Sequence, residues 1–142
     1  AHNPDGVLSM VEVGNRWGAD RCHILLGQAG DRNDSLLKSL SNKASKLHNG
    51  LFYLKPLPEH AHGRDPSEVV DVIESSLKES GVAASMIKRF EHEVEAAKHA
   101  LRSCEEGDLL LLLVHENLEL IQDELEFLGA VPASLSHTSS AK

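Results

Sequence analysis

Three short polar segments hold most of the residues that could do chemistry. The first, Gly27-Gln28-Ala29-Gly30-Asp31-Arg32-Asn33-Asp34, follows an apolar run and precedes a helical pattern. Its glycines permit tight turning and close approach of a ligand to the backbone. N–H groups at the start of the next helix can meet an anion, and Arg32 can pair with phosphate or carboxylate. The same residues also suit a plain strand-to-helix turn capped by Asp31, Asn33 or Asp34. The second segment, His60-Ala61-His62-Gly63-Arg64, lies between two prolines and a helix start. Arg64 there could hold a carboxylate or phosphate, or simply face solvent. Its His-x-His could offer two metal ligands, but no cysteine or carboxylate pattern completes a site, so no metal is expected. The third, His115-Glu116-Asn117, reads either as a binding loop or as the cap of the last helix.

Other devices are missing. There is no GxxxxGK[ST] phosphate loop and no dinucleotide fingerprint. No GxSxG nucleophile elbow occurs, and Cys22 reads as strand interior. No catalytic residue is therefore expected within this chain.

The elements that must position these segments alternate. Helical stretches are expected from Asp5 to Val13, Asp34 to Leu47, Asp65 to Gly81 and Glu91 to Ser103, with a last stripe of Leu118, Ile121, Leu125 and Leu128. In the fourth, Val94, Ala97 and Leu101 are expected to face inward. Asp65-Pro66-Ser67-Glu68 is a strong helix start, with Glu68 placed to close a capping box. Strands are expected at Arg21–Gly27, Leu51–Lys55, Met86–Arg89 and Leu109–Val114. The last is the most apolar and so the candidate for a central strand buried on both faces. This alternation predicts an α/β, Rossmann-like three-layer domain with a mostly parallel sheet, in which ligands sit beyond the C-terminal ends of the strands. The domain is expected over residues 1–133, with a polar tail over 134–142.

Composition narrows the function further. The 142 residues carry a formal charge of −8, and only 4% are aromatic, which disfavours phosphate backbones and base-stacking surfaces; no nucleic-acid partner is expected. The two cysteines, Cys22 and Cys104, lie outside any CxxC and read as buried free thiols of a cytoplasmic protein. No apolar run is long enough to suggest a membrane partner.

Particular residues go beyond these classes. Ala1-His2-Asn3-Pro4-Asp5-Gly6 resembles the segment that opens the third domain of Mur ligases, folylpolyglutamate synthases and cyanophycin synthetase, commonly Asp-Tyr/Gly-Ala/Gly-His-Asn/Thr-Pro. Gly30-Asp31-Arg32 resembles the Gly-Asp-Arg loop of those families. Leu54-Lys55, then Gly63-Arg64 and Glu68, resembles the Leu-Lys-Glu … Arg-Gly-Arg-x-x-Gly-Glu pattern of the cyanophycin-synthetase branch, with Pro56, His62 and Ser67 as departures. Gly107-Asp108-Leu109 resembles the lead into the last core strand. The Asp-Asn-Pro-Arg motif of diaminopimelate-adding Mur ligases has no counterpart here.

The resemblance implies the C-terminal (third) domain of an ATP-dependent amide ligase that works through an acyl phosphate. The domain would close over ATP and help position the incoming amino acid. A central ATPase domain of the same parent chain would hold most of the ATP and Mg. This piece alone would be inactive. His2, Asn3, Asp31 and Arg32 are implied near the nucleotide, and Arg64 and Glu68 near an amino-acid or peptide substrate. The alternative is a free-standing ligand-binding or regulatory α/β module without ligase activity.

Overall fold

Three of the helices begin where the sequence supplies a capping side chain. In the computed structural model, which describes residues 3–132, α1 spans Pro4–Trp17 and Asn3 caps it, its Oδ1 accepting from Gly6 N at 2.7 Å. Asn33 does the same for α2, Asp34–Ala44, accepting from Leu36 N at 2.8 Å. Asp65 caps α3, Pro66–Glu79, by accepting from both the N–H and the hydroxyl of Ser67. Each cap satisfies a donor that the first helical turn leaves orphaned. The expected capping box is not what Glu68 forms. Its carboxylate turns back to Arg64 instead, at 3.6 Å.

Between the helices run β1, Cys22–Leu26, β2, Gly50–Leu54, and β3, Ile87–Arg89. They are followed by α4, Glu93–Ser103, β4, Leu109–Leu112, and α5, Leu118–Phe127. All four described strands are parallel, in the order β3-β2-β1-β4. The centre is thus β1, every residue of which is buried. The expectation of a central strand at Leu109–Val114 is wrong: β4 is an edge of the sheet. Its apolarity reflects two covered faces rather than two neighbouring strands. Leu111 and Leu113 pack toward Val7 and Val11 of α1, and Leu110, Leu112 and Val114 pack on the side of α4 and α5.

Side chains alternate along each strand, so the sheet divides two cores. Cys22, Ile24 and Leu26 meet Leu37 and Leu40 of α2 and Ile73 and Leu77 of α3. Leu25 and Tyr53 meet Ala96, Ala97 and Ala100 of α4 and Ile121 of α5. The result is the expected three-layer α/β arrangement. No described helix is long and apolar enough to cross a membrane.

One end of the sheet is closed by a buried polar network. His23 bonds Asp108 at 2.9 Å through Nε2 and the Tyr53 hydroxyl at 2.8 Å through Nδ1. The Arg21 guanidinium, with the Glu105 N–H and His23, holds the Asp108 carboxyl well below the usual carboxylate range.

Two expected stripes are displaced. In α4 the buried face is Glu93, Ala96, Ala97 and Ala100, with Val94 and Leu101 only half-buried. In α5 only Ile121 is buried, while Leu118 and Leu128 are 56% and 49% exposed. Ile121→Ala is therefore expected to cost about 2–5 kcal/mol in urea unfolding, and Leu118→Ala within about 0.5 kcal/mol. Equal losses would mean that the apolar stripe of α5 is packed as a whole.

Candidate functional site

A parallel sheet brings the segments after β1, β2 and β4 to one end, and here they touch. The Gly27–Asn33 loop and the His60–Arg64 loop meet backbone to backbone, Gly30 N donating to His60 O at 2.8 Å. A Cβ at position 30 would collide with the Ala61 carbonyl, so only glycine permits this crossing. Gly27 is required for a similar reason. A Cβ there would run into the Lys55 carbonyl and the Lys55 stem.

Lys55 follows β2 and is fully buried, and its partner is Glu93 at the start of α4. The ammonium has three donors, and three acceptors meet it: Glu93 Oε2, Leu113 O at 2.9 Å and His115 Nδ1 at 2.9 Å. Glu93 in turn gathers the loop after β4. Its Oε2 accepts from His115 N at 2.9 Å, and its Oε1 accepts from Glu116 N at 2.9 Å and Asn117 N at 2.8 Å. Burial alone would raise Glu93. The Lys55 ammonium and the N–H groups of His115 and Glu116 outweigh it, and the carboxyl is lowered to about 2.

The loop held in this way presents Glu116, whose side chain is only 3% exposed and whose Oε2 lies 2.7 Å from His60 Nδ1. The three segments enclose a cleft of about 240 Å³ lined by Gln28, Asp31, Arg32, His60, His62 and His115, among others. Gln28 is 3% exposed, and its Nε2 donor has no partner among the described residues. Such a buried donor is suited to an acceptor arriving from outside. Arg32 Nε likewise has no hydrogen-bond acceptor there.

The sequence-derived candidates divide between cleft and frame. Asp31 and Arg32 line the cleft. Arg64 does not: it bonds Asp34 at 2.8 Å and the Arg32 carbonyl at 3.3 Å, and so staples its loop to the first. Glu68 stands behind Arg64, outside the cleft lining. Asn3 caps α1 and is not among the lining residues, and His2 lies outside the described residues, as does the proposed tail from 134. The sequence missed the Lys55–Glu93 pair, the His60–Glu116 pair and Gln28. One signal was present. Glu93 occupies the i position of a stripe whose i+3, i+4 and i+7 members are alanines, so a charge stood in the buried register of α4.

No family model matches the chain. Curated proteins do. A UDP-N-acetylmuramoyl-L-alanyl-D-glutamate–2,6-diaminopimelate ligase of Caldanaerobacter subterraneus is 26% identical over 127 residues, covering 88% of this chain and 25% of its own. A cyanophycin synthetase of Geminocystis herdmanii is 28% identical over 125 residues, covering 86% and 14%. Among solved structures, a UDP-N-acetylmuramoyl-L-alanyl-D-glutamate–2,6-diaminopimelate ligase superposes over 92% of this chain and 29% of its own with a TM-score of 0.67 at 15% identity. A murein peptide ligase from Psychrobacter arcticus gives a TM-score of 0.62 at 19% identity, over 94% and 27%. Over most of its length the chain is thus similar to one part of Mur ligases and of a cyanophycin synthetase, and it shares the fold of the matched Mur ligase structures. Its fold is of the C-terminal-domain type, and it spans about a quarter of the length of the first curated relatives it matches.

The buried pair has a pH signature. A depressed carboxyl contributes stability that is fully present above its unfolded value and lost as pH falls through the folded one. Wild-type unfolding free energy is expected to drop between about pH 4.5 and pH 2. The double variant Lys55→Met/Glu93→Gln should flatten that slope. Lys55→Met alone strands a buried carboxylate and should cost about 3–5 kcal/mol at neutral pH. An unchanged slope in the double variant would place the acid sensitivity elsewhere.

Proposed function

We propose that this chain is the closing domain of an ATP-dependent amide ligase, covering the nucleotide and positioning an incoming amino acid. The observation that carries this reading is the cleft itself. It lies at the ligand-binding end of a parallel sheet and holds Arg32 beside the partnerless amide donor of Gln28. Gln28 Nε2 and Arg32 Nε have no hydrogen-bond acceptor among the described residues, the nearest carboxylate to Arg32 being Asp31 at 4.0 Å, and such donors suit a phosphate or a carboxylate. The relatives named above are ligases, and their likeness to this chain supports the same reaction class.

In the proposed reaction ATP phosphorylates a substrate carboxylate, an amino group attacks the acyl phosphate, and phosphate leaves. Asp31 and Arg32 face the nucleotide, with His2 and Asn3 near the hinge to the central domain. Arg64 and Glu68 act on the substrate side by fixing the shape of the His60–Arg64 loop. Asp31 is the one carboxylate among the described residues lining the cleft. That does not suit the oxygen-rich shell Mg²⁺ prefers, so Mg and most of the ATP are assigned to the central domain of the parent chain. Closure would exclude water from the acyl phosphate.

The test uses the full-length parent ligase. Losing one charge-assisted contact of about 1.5–3 kcal/mol predicts that Arg32→Ala lowers kcat/KM for ATP-dependent ligation by about 10- to 100-fold. Arg64→Ala should lower it too, with the domain still folded by circular dichroism. If both variants keep wild-type kinetics, the cleft is not where this domain meets the reaction. Tight ATP or amino-acid binding by the isolated domain would favour the free-standing module instead.

A further inference from the structure

The ligation chemistry has a requirement that the cleft meets. An incoming amino acid carries an ammonium group, which has no lone pair. It must lose a proton before or as nitrogen attacks the acyl phosphate.

His60 stands in the cleft wall with its side chain 48% exposed, bonded through Nδ1 to Glu116 Oε2 at 2.7 Å. Glu116 is buried and, as a carboxylate, can only accept. The proton of a neutral His60 therefore sits on Nδ1, which leaves the Nε2 lone pair free. Among the described residues Nε2 makes no hydrogen bond. The backbone is fixed as well, His60 O accepting from Gly30 N at 2.8 Å and His60 N donating to Leu57 O at 3.0 Å. A carboxylate that sets the tautomer and orientation of an exposed imidazole is the arrangement of a general base. Glu116 owes its place to Glu93, which binds the Glu116 N–H.

We propose that His60 is the general base of the ligation step and that Glu116 is its positioning residue. This rests on the ligase reading above and goes beyond it, since no side chain of this domain was expected to react. As the substrate nitrogen bonds to the acyl carbon, the carbon–oxygen bond to phosphate breaks and phosphate leaves. One ammonium proton passes to His60 Nε2 and then to solvent, and the second proton that nitrogen sheds as the amide forms leaves with the departing phosphate. The titratable and charged groups facing His60 are Asp31 and Arg32 from the loop after β1, His62 from its own loop, and His115 and Glu116 from the loop after β4.

The experiment compares two acceptors in the full-length ligase. Hydroxylamine is neutral near pH 7 and traps the acyl phosphate as a hydroxamate without needing a base. The amino-acid acceptor needs one. His60→Ala and His60→Asn are expected to lower amide formation by about 10²–10⁴-fold while hydroxamate forms at the wild-type rate. In wild type the amide rate levels off with rising pH. In the variants it keeps climbing with pH, because only amine that is already neutral reacts. Glu116→Gln should shift that pH profile without abolishing hydroxamate formation. Wild-type amide rates in the His60 variants would overturn the proposal. So would a parallel loss of both products, which would make His60 a shaping residue. A wild-type enzyme that makes neither product would overturn the ligase reading and this inference with it.

Discussion

A lysine with no access to water has to find an acceptor for each of its three protons, and the functional end of this domain is organised around how Lys55 does so. Its acceptors come from Glu93 at the head of α4, from Leu113 just after β4, and from His115. Two separate stretches of sequence are thereby drawn to the nitrogen of a third. Glu93 extends the arrangement, because one carboxylate then receives three successive backbone N–H groups from His115 to Asn117. A carboxylate so placed acts on an irregular loop as a side-chain cap acts on a helix. It supplies the acceptors that regular structure does not. The expense of burying both charges is offset only if all these bonds are made together, which makes the loop geometry close to all-or-none.

The cleft follows from that constraint. The loop after β4 can hold Glu116 against His60 because Glu93 fixes its backbone, and the loop after β2 can meet the loop after β1 because position 30 has no side chain. Arg64 adds a second tie between those two loops. What faces the cleft is a small set of donors and imidazoles. Such a surface suits the closing role proposed for the domain, in which it would arrive over nucleotide and substrate already shaped. The relatives it matches are several times longer than this chain.

Local signals were legible and lateral ones were not. The cap at Asp65, a cap for α2 at one of Asp31, Asn33 or Asp34, the strand at Cys22–Leu26 and the alternation that dictates a parallel sheet follow from residue type and spacing. The placement of β4 did not, because five leucines and a valine from Leu109 to Val114 report that both faces are covered and say nothing of how many strands lie alongside. Glu68 looked like a capping-box partner until Ser67 satisfied Asp65 and Arg64 captured the carboxylate. Arg32 was found because an arginine after a glycine turn stands out locally. Lys55–Glu93 and His60–Glu116 join residues 38 and 56 positions apart, and spacing within one element carries no trace of such pairs. The misplaced charge in the alanine stripe of α4 was the one local hint.

The central claim is that Lys55 and Glu93 hold the loop that carries His115, Glu116 and Asn117. Amide hydrogen exchange at those three positions tests it most directly, compared between wild type and the double variant Lys55→Met/Glu93→Gln under conditions where both are folded. The account predicts that the three amides are protected in wild type and exchange far faster in the variant, while amides in β1 keep their protection. Unchanged protection at His115, Glu116 and Asn117 would contradict it.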